Sequence, residues 1–534
     1  MPRPPLPAGA QNQTDVYAVH GADPEVLAYA MAKYSRSALS MRESLAEISA
    51  QRAEQFLNTF YFQYGHRSIA DLAHVAFAVE RLSLLAAIVL VDEQRWDGQE
   101  RSTRYQNFLK SGWYFPDFGA DPESGPYAES ARLYAETIRH LFDEYQRTTD
   151  AVLAALRARV PRPETLKSEA YERTLKARAF DVARYLLPLA TNTSLGQIIN
   201  ARTLETQVSR LLAHPVAEVR DLGLKLRDAA TGPAWNINAT AGAALVEKIA
   251  ASDPALAEEA AQRLTREVHA APTLVKYAQP SEYDLKTRAE LTQAATDLLG
   301  DVPIAEAPVV DLVERTESLE VELAATLLYS ASHHPYRQIR DLVASFPADQ
   351  VSELIELGLR HRGKHDEALR AFHAGAALRF DILMDIGGFR DMHRHRRVTQ
   401  IIQPFTAAHG YETPSTGDLG PDVDLLAEAG VLQSFRAAVE SAHAASASIA
   451  SSNAPEAAQS ALYLLPLATR IRSLFKMDFA EAQYISELRS GPAGHFSYRR
   501  IAWEMYLALQ RQHPSLAKYI RVTDFTQPID LLQR

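Results

Sequence analysis

Two stretches of this chain carry residue types and spacings that could do chemistry. The first is Phe389–Gln400, FRDMHRHRRVTQ, where Arg390, His393, Arg394, His395, Arg396 and Arg397 crowd together. Read as a helix, Arg390, His393, Arg394 and Arg397 fall at i, i+3, i+4 and i+7 and share one face. Like charges at those spacings repel by about 0.2–0.5 kcal/mol per pair, so the stripe needs acidic partners, a bound anion or open solvent. A solvated helix end is the plainer alternative, since cations also favour the negative pole of a helix. The second stretch is Gln99–Tyr105, QERSTRY. A turn carrying Ser102 and Arg104 beside free backbone N–H groups can wrap an anion, with the guanidinium forked onto phosphate oxygens. An ordinary polar loop has the same composition. Arg184, the trio Asn200, Arg202 and Arg210, and the pair Arg489 and His495 add further polar candidates along the chain.

Metal chemistry has little support. His393 and His395 are two apart, which on a helix turns them about 200° from one another. The chain has no cysteine and no H-E-x-x-H pattern, so no metal site is assigned. No G-x-G-x-x-G or G-x-x-x-x-G-K-[ST] pattern occurs either, which leaves a Rossmann or P-loop reading without support.

Composition sets the frame for these candidates. The 534 residues are 47% hydrophobic and 23% charged, ordinary for a globular protein with a sizeable core. A net charge of -10 argues against a protein that coats nucleic acid non-specifically, because that binding runs on excess cations. The absence of cysteine excludes disulfides, thiolate metal sites and a cysteine nucleophile. The opening MPRPPLPAGAQNQTD lacks the apolar centre of a signal peptide or anchor. The longest apolar run, Leu82 to Val91, is too short to span a bilayer, so no membrane partner and a cytoplasmic location are expected.

The elements that must position the candidates follow from periodicity. Residues 1–14 read as a flexible arm and 24–54 as paired helices. Residues 72–83 alternate like a strand, and a buried helix begins near Leu84 and ends at the charged cluster from Asp92. Gly98 to Phe108 reads as a loop, and long helices are expected over Tyr127–Arg159 and Ser168–Leu187. Ser194–Ala229 reads mainly as helix. Prolines at 280, 303 and 308 and weaker periodicity mark 279–317 as a linker. The two sides of it resemble one another, for YLLPLAT stands at Tyr185–Thr191 and again at Tyr463–Thr469. We therefore read a tandem duplication, with a first unit at 1–278 and a second at 318–534. Each copy is rich where the other is poor. Leu462 takes the place of Arg184, and Asp92-Glu93-Gln94 stands where the second copy has Arg394-His395-Arg396.

These residues resemble the flavin-dependent thymidylate synthase (ThyX) family. Its signature is an RHR, then a serine, an Asn-Glu and a Ser-x-Arg-Tyr, with an upstream Gly-His, a downstream Arg-x-x-Leu-Pro and an Asn-Ala-Arg before a later Arg/His pair. The first copy matches with Gly65-His66, Gln99-Glu100, Ser102-Thr103-Arg104-Tyr105, Arg184 to Pro188, Asn200-Ala201-Arg202, Arg210 and His214, but lacks the RHR. The second matches with His365, Arg390, Arg394-His395-Arg396, Thr399 in the serine's place, Arg489 and His495, but has Pro404-Phe405-Thr406 for the Ser-x-Arg-Tyr.

The resemblance implies a helix-rich α/β (α+β) fold of two tandem units, each a sheet covered by helices. It implies FAD as cofactor, with NADPH and methylenetetrahydrofolate as co-substrates in a methyl transfer that turns dUMP into dTMP. By that likeness Glu100, Ser102, Arg104, Arg184, Arg210 and Arg390 bind the nucleotide. His66, Asn200, Arg202, Arg394, His395 and Arg396 hold flavin, and Arg394, His395 and Arg489 meet the reacting centre. A route to thymidylate without a thiolate suits a chain without cysteine. Ser102 has no visible base to activate it and reads as a hydrogen bonder. Together these expectations describe composite sites between the copies, in a homodimer that mimics the family's tetramer. The alternatives are a non-catalytic flavin- or nucleotide-binding paralogue and a flavoenzyme acting on a different pyrimidine nucleotide.

Overall fold

The computed structural model describes residues 21–33, 45, 67–119, 121–236, 239–276, 278–363, 366–414 and 423–532. His66, His365, the 1–14 arm and most of the 24–54 helix pair lie outside them; the helix Pro24–Lys33 is present. The chain divides into two compact units. The smaller comprises Met1–Val75, Ile199–Thr206 and Leu226–Ala278, and the larger Ala76–Ile198, Gln207–Lys225 and Gln279–Arg534. In the smaller unit, the Glu25 carboxylate accepts from the backbone N–H groups of Thr273 and Leu274 and so ties the first helix to the end of the unit. No described helix is long and apolar enough to cross a membrane.

The fold is helix-rich with two small antiparallel sheets. The first holds β1 (His74–Ser83), β2 (Asp97–Glu100) and β3 (Asn192–Asn200) in the order β1-β3-β2. The second holds β4 (Val310–Leu312), β5 (Leu378–Asp385), β6 (Thr399–Ile402) and β7 (Arg470–Met477) in the order β4-β5-β7-β6. Apart from the added β4 the two orders are the same. The matching extends to single hydrogen bonds. Leu84 N–H donates to Thr191 C=O and Ile386 N–H to Thr469 C=O, both at 2.9 Å. Arg101 donates to Ser194 and Gln403 to Arg472 in the same way.

The two YLLPLAT segments pair with each other. Pro188 and Pro466 face across an isolated antiparallel bridge. Leu189 N–H donates to Leu465 C=O at 3.0 Å, and Leu467 N–H returns the bond to Leu187 C=O at 2.9 Å. Proline cannot donate, so the flanking leucines and alanines carry the reciprocal bonds. The segments are almost wholly buried.

The sheets differ in what covers them. β5 and β7 are buried along nearly their whole length, and one face is charged. There Arg472 bonds Asp381 at 2.9 Å and Lys476 bonds Glu322 at 3.0 Å, both pairs fully buried. In β3 the face bearing Gly196 and Ile198 is exposed, while Thr193, Leu195, Gln197 and Ile199 point into the core.

Several expectations hold closely. The strand ends at Ser83, whose side chain caps the buried helix Leu84–Val91, and the long helices run over Ala128–Arg159 and Ser168–Ala183. Others need correction. The loop expected from Gly98 begins inside β2, because its residues ladder against Leu195–Ile198. Ser194–Asn200 is strand rather than helix, since its buried residues alternate with period two. The stretch 279–317 holds a helix, Glu282–Leu299, capped by Ser281, and the strand β4, so its prolines punctuate structure rather than replace it. Phe389–Gln400 is not one helix. The helix Ile386–Met392, capped by Asp385, stops at His393, and the chain turns into β6. The like-charged face read from the sequence never forms, and Arg390, His393 and Arg397 go to separate acids, Glu100, Asp92 and Asp478.

Candidate anion-binding site

The loop after β2 is held open by one side chain. Arg101 donates to Gln106 at 2.8 Å, to Ser111 at 2.8 Å and to the Asn107 carbonyl at 3.0 Å, and lies over the Phe108 ring. The next residues turn inward. Ser102 Oγ accepts from Arg104 N–H at 3.2 Å, and Thr103 Oγ1 from Arg184 Nη1 at 3.4 Å.

Arg104 is buried and fully committed. Its Nε and Nη2 fork onto Asp181 at 2.8 and 3.1 Å, its Nη1 donates to Tyr498 Oη at 2.9 Å, and Nη2 also reaches the Ala493 carbonyl. Burial works against its charge, but Asp181 outweighs burial and holds it firmly protonated.

Arg184 is not committed. It ends the helix Ser168–Ala183, is 2% exposed, and makes only long contacts, to Thr103 and to Asp391 at 3.5 Å. Its Nε and Nη2 are buried with no hydrogen-bond partner. An unfilled buried guanidinium edge costs free energy unless an acceptor arrives.

Asp391 sits at the centre of the basic groups. Burial pushes its carboxyl up, yet Arg184, Arg104, Arg394 and Arg489 together hold it below the usual carboxylate range. Arg394 is partly exposed and follows Asp391 by three residues. Arg489 Nε donates to His395 Nε2 at 2.8 Å, and its guanidinium lies over the Tyr498 ring. That bond assigns the His395 proton to Nδ1, which faces Glu481 at 3.4 Å. Burial, then Arg489 and Arg396, brings the His395 imidazole down to about 3, so it stays neutral.

Around this corner the remaining expected residues find other partners. Arg390 pairs with Glu100 at 2.6 Å, both buried, so two residues expected to bind nucleotide neutralise each other; Arg390 Nε has no partner. Arg396 donates to the His393 carbonyl at 2.8 Å and covers the Trp96 indole. Asn200 caps the next helix by accepting from Thr203 N–H, and Arg202 pairs with Asp71 at 3.3 Å. Arg210 donates to the Val89 carbonyl. His495 is fully buried, bonds the Asp181 carbonyl, and is kept neutral by burial well below its usual range. Asp385 is pushed up by burial and accepts the Ser497 hydroxyl.

Sequence reading missed Asp181, Asp391 and Tyr498. Asp391 stood inside the basic run, and Asp181 stands three residues before Arg184 on one helix, the spacing at which helical neighbours meet. Tyr498, three beyond His495, gave no comparable signal.

The same fold positions recur once more in the chain, with different side chains. β2 and β6, and the helices Leu84–Val91 and Ile386–Met392 before them, repeat in register. Asp92 therefore matches Arg394, Glu93 matches His395, and Thr406 matches Arg104. The helices Ala201–Leu212 and Phe479–Ser490 repeat as well, so Leu211 matches Arg489 and Leu462 matches Arg184. Asp92 accepts from Arg370 at 2.5 Å and from His393 at 3.1 Å. Burial opposes its charge, but those two bases hold it well below the usual range.

A donor set with two unfilled buried N–H groups at Arg184 fits an anion. Of the expected flavin residues, Asn200, Arg202, His395 and Arg396 already have partners. Against known proteins, the family profile described as thymidylate synthase complementing protein matches residues 18–231 and 311–515. A UPF0159 protein of Chlamydia muridarum is 27% identical, covering 94% of this chain and 91% of its own length. A flavin-dependent thymidylate synthase of Clostridium tetani is 24% identical, covering 34% of this chain and 67% of its own. Among solved structures, a UMP/dUMP methylase, PolB from Streptomyces cacaoi bound with 5-Br dUMP, matches 38% of this chain and 84% of its own at 18% identity and a TM-score of 0.28. The flavin-dependent thymidylate synthase ThyX of Helicobacter pylori, complexed with FAD and dUMP, matches 39% and 89% at 17% identity and a TM-score of 0.25.

Proposed function

The chain belongs to the thymidylate synthase complementing protein family, and we propose that it binds one pyrimidine nucleotide per chain at the Arg184 corner. In this reading the chain is a tandem duplication, with units at 1–278 and 318–534 joined through 279–317, and a homodimer stands in for the family's tetramer. The phosphate of dUMP takes the two unfilled donors of Arg184, which is the observation that carries the reading. Arg104, locked by Asp181 and Tyr498, and Ser102 fix the loop on one side. Arg394 and Arg489 supply positive charge on the other.

The reaction we infer is the family's reductive methylation of dUMP to dTMP, with FAD as cofactor and NADPH and methylenetetrahydrofolate as co-substrates. The chain's own part is to anchor the nucleotide, to exclude water around Arg104 and Arg184, and to keep His395 neutral with its proton on Nδ1. A second reading is a nucleotide-binding paralogue without synthase activity. It is favoured by the pairing of Asn200 with its own helix and of Arg202 with Asp71.

Titration of the purified chain with dUMP tests the nucleotide, and Arg184→Ala abolishes binding if the corner is the site. Reconstitution with FAD, read as a bound flavin spectrum, and tritium release from labelled dUMP separate the two readings. A yellow protein that releases tritium is a synthase. A colourless protein that binds dUMP is the paralogue, and one that ignores dUMP sinks both.

A further inference from the structure

Arg184 keeps its Nε and Nη2 unfilled although a buried carboxylate lies close by. A Cβ added to Gly387 would stand 3.6 Å from each of those nitrogens and 3.2 Å from Asp385 Oδ1. Having no Cβ, Gly387 leaves open a small space that borders both the guanidinium edge and the carboxylate. Arg184 and Asp385 are 2% and 1% exposed, and they face that space without bonding each other. None of the three parts recurs in the other half of the fold. There Leu84 N–H and Leu85 N–H make the bonds that Ile386 and Gly387 make here, so Ser83 matches Asp385, Leu85 matches Gly387 and Leu462 matches Arg184.

Asp385 borders the space as an acceptor. Its Oδ1 accepts from Gly388 N–H at 2.6 Å, and its Oδ2 accepts from the Ser497 hydroxyl. Burial and Glu412 push its carboxyl up, but both of these bonds and Arg184 favour the ionised form. A carboxylate oxygen can accept more than one bond, so Oδ1 has room for another. The other charged and titratable neighbours do not take that place. Glu412 is paired with Arg500 at 3.1 Å, and the two share a small cavity with Asp385 and Tyr185, whose hydroxyl burial keeps protonated. His495, two residues before Ser497, is neutral. Arg470, the cross-strand neighbour on β7, keeps its Nε without a partner.

An anion oxygen that fills Arg184 Nε and Nη2 therefore comes up against a carboxylate oxygen as well. Two such oxygens repel unless a proton lies between them. Resting on the reading of this corner as a phosphate site, we propose that it takes its phosphate in a protonated form, with the P–O–H group donating to Asp385 Oδ1. The proton stays on the phosphate oxygen, and no covalent bond is made or broken. Gly387 supplies the room, and Asp385 is a specificity residue. It admits an oxyanion that carries a hydroxyl and disfavours one of equal charge that lacks it. Hydrogen phosphate and sulfate are such a pair at pH 8, both tetrahedral dianions. A nucleotide monophosphate loses its second proton at about pH 6, so at pH 8 it must take one up on binding.

The test is calorimetric titration of the full chain at one ionic strength, with inorganic phosphate and sulfate at pH 8, and with dUMP at pH 6 and pH 8 in buffers of different protonation enthalpy. The wild type binds phosphate at least about tenfold more tightly than sulfate. Its binding of dUMP at pH 8 takes up about one proton, and the affinity rises at least about tenfold from pH 8 to pH 6. In Asp385→Asn, whose amide can donate, sulfate gains on phosphate until the two bind alike, and the proton uptake disappears. A purely structural role for Asp385, as cap of the helix Ile386–Met392, would weaken both anions together and leave their ratio unchanged, and that result overturns the proposal. So does a wild type that binds sulfate as tightly as phosphate, or that binds neither. Should Asp385→Asn not fold, the wild-type ratio and proton uptake still decide, together with Gly387→Ala. Gly387 has no positive φ, so alanine fits its backbone, and the added methyl group fills the space. Phosphate affinity then falls at least about tenfold, and an unchanged affinity overturns the proposal. If phosphate is preferred to sulfate but dUMP does not bind, the nucleotide reading fails and the role of Asp385 stands. If dUMP binds without taking up a proton, the role of Asp385 fails and the nucleotide reading stands.

Discussion

The Arg184 corner and the Asp92 corner occupy matching places in the fold and have opposite electrostatics. At the first, four arginines surround Asp391 and two guanidinium N–H groups remain unfilled. At the second, Asp92 itself is the anion, and Arg370 and His393 close on it. Leucines replace Arg184 and Arg489 there, at Leu462 and Leu211. One corner leaves two buried guanidinium N–H groups without an acceptor, and the other has its anion built into the chain. A carboxylate carried by the chain itself pays no association entropy, so the Asp92 corner contributes to stability, whereas in the proposed reading the Arg184 corner is left to bind. The same backbone thus serves two ends, and the side chains at a handful of positions decide which.

Arg184→Ala lowers the affinity for phosphate or dUMP at least about a hundredfold, because a buried charge-assisted bidentate contact is lost. Titration calorimetry measures it, and an affinity within a few-fold of wild type would remove Arg184 from the site. The converse change is Asp92→Ala. It leaves His393 and Arg370 without their acid and lowers stability by about 3 kcal/mol, with phosphate affinity nearly unchanged. Urea unfolding monitored with and without phosphate separates the two quantities. If Asp92→Ala weakened phosphate binding as much as Arg184→Ala, the two corners would not be distinct in function.

A third prediction concerns proton balance at the Arg184 corner. His395 is neutral in the fold, with its imidazole brought down to about 3, whereas an unfolded histidine titrates near 6.5. The unfolded chain therefore takes up a proton below pH 6.5 that the folded chain does not. The stability contributed by the neutral ring is complete above pH 6.5 and declines as pH falls toward about 3. Relative to His395→Gln, the wild type loses about 2 kcal/mol between pH 7 and pH 5. Parallel stability curves for the two proteins over that range would mean that the His395 imidazole titrates in the fold as it does in the unfolded chain.

The smallest effect comes from a reciprocal exchange behind the two corners. Ser83 donates to Glu218 on one side, and Ser497 donates to Asp385 on the other. Ser497→Ala leaves Asp385 without its hydroxyl partner and costs about 1 kcal/mol. Ser83→Ala loses both that kind of bond and the helix cap at Ala86 N–H, and costs about 2 kcal/mol. Thermal melts rank the two, and a larger loss from Ser497→Ala would show that the exchange is not reciprocal.

Much of this was legible in the sequence. Alternation over 72–83 and the apolar run after it located β1 and the buried helix, and the repeated YLLPLAT announced the two segments that pair across Pro188 and Pro466. Arg104, Arg184, Arg394 and Arg489 were named from their residue types, and the structure gathers them around Asp391. What the sequence could not carry was partner choice. Arg390 looked free but is neutralised by Glu100, some 290 positions away, and Arg396 lies over Trp96. The helix through Phe389–Gln400 fails for a related reason. Strand pairing of Thr399–Ile402 with β7 is a non-local contact that no local period reveals. Strand β3 was hidden likewise, because Asn192–Asn200 is polar and glycine-containing and becomes a strand through its neighbours.

In the proposed reading the chain holds one competent anion site built from residues of both matched regions, and its counterpart is closed. Counting bound dUMP per chain by equilibrium dialysis at saturation tests this most directly. One nucleotide per chain is expected, falling to zero in Arg184→Ala and staying at one in Asp92→Ala. Two nucleotides per wild-type chain, or one that survives Arg184→Ala, would contradict it.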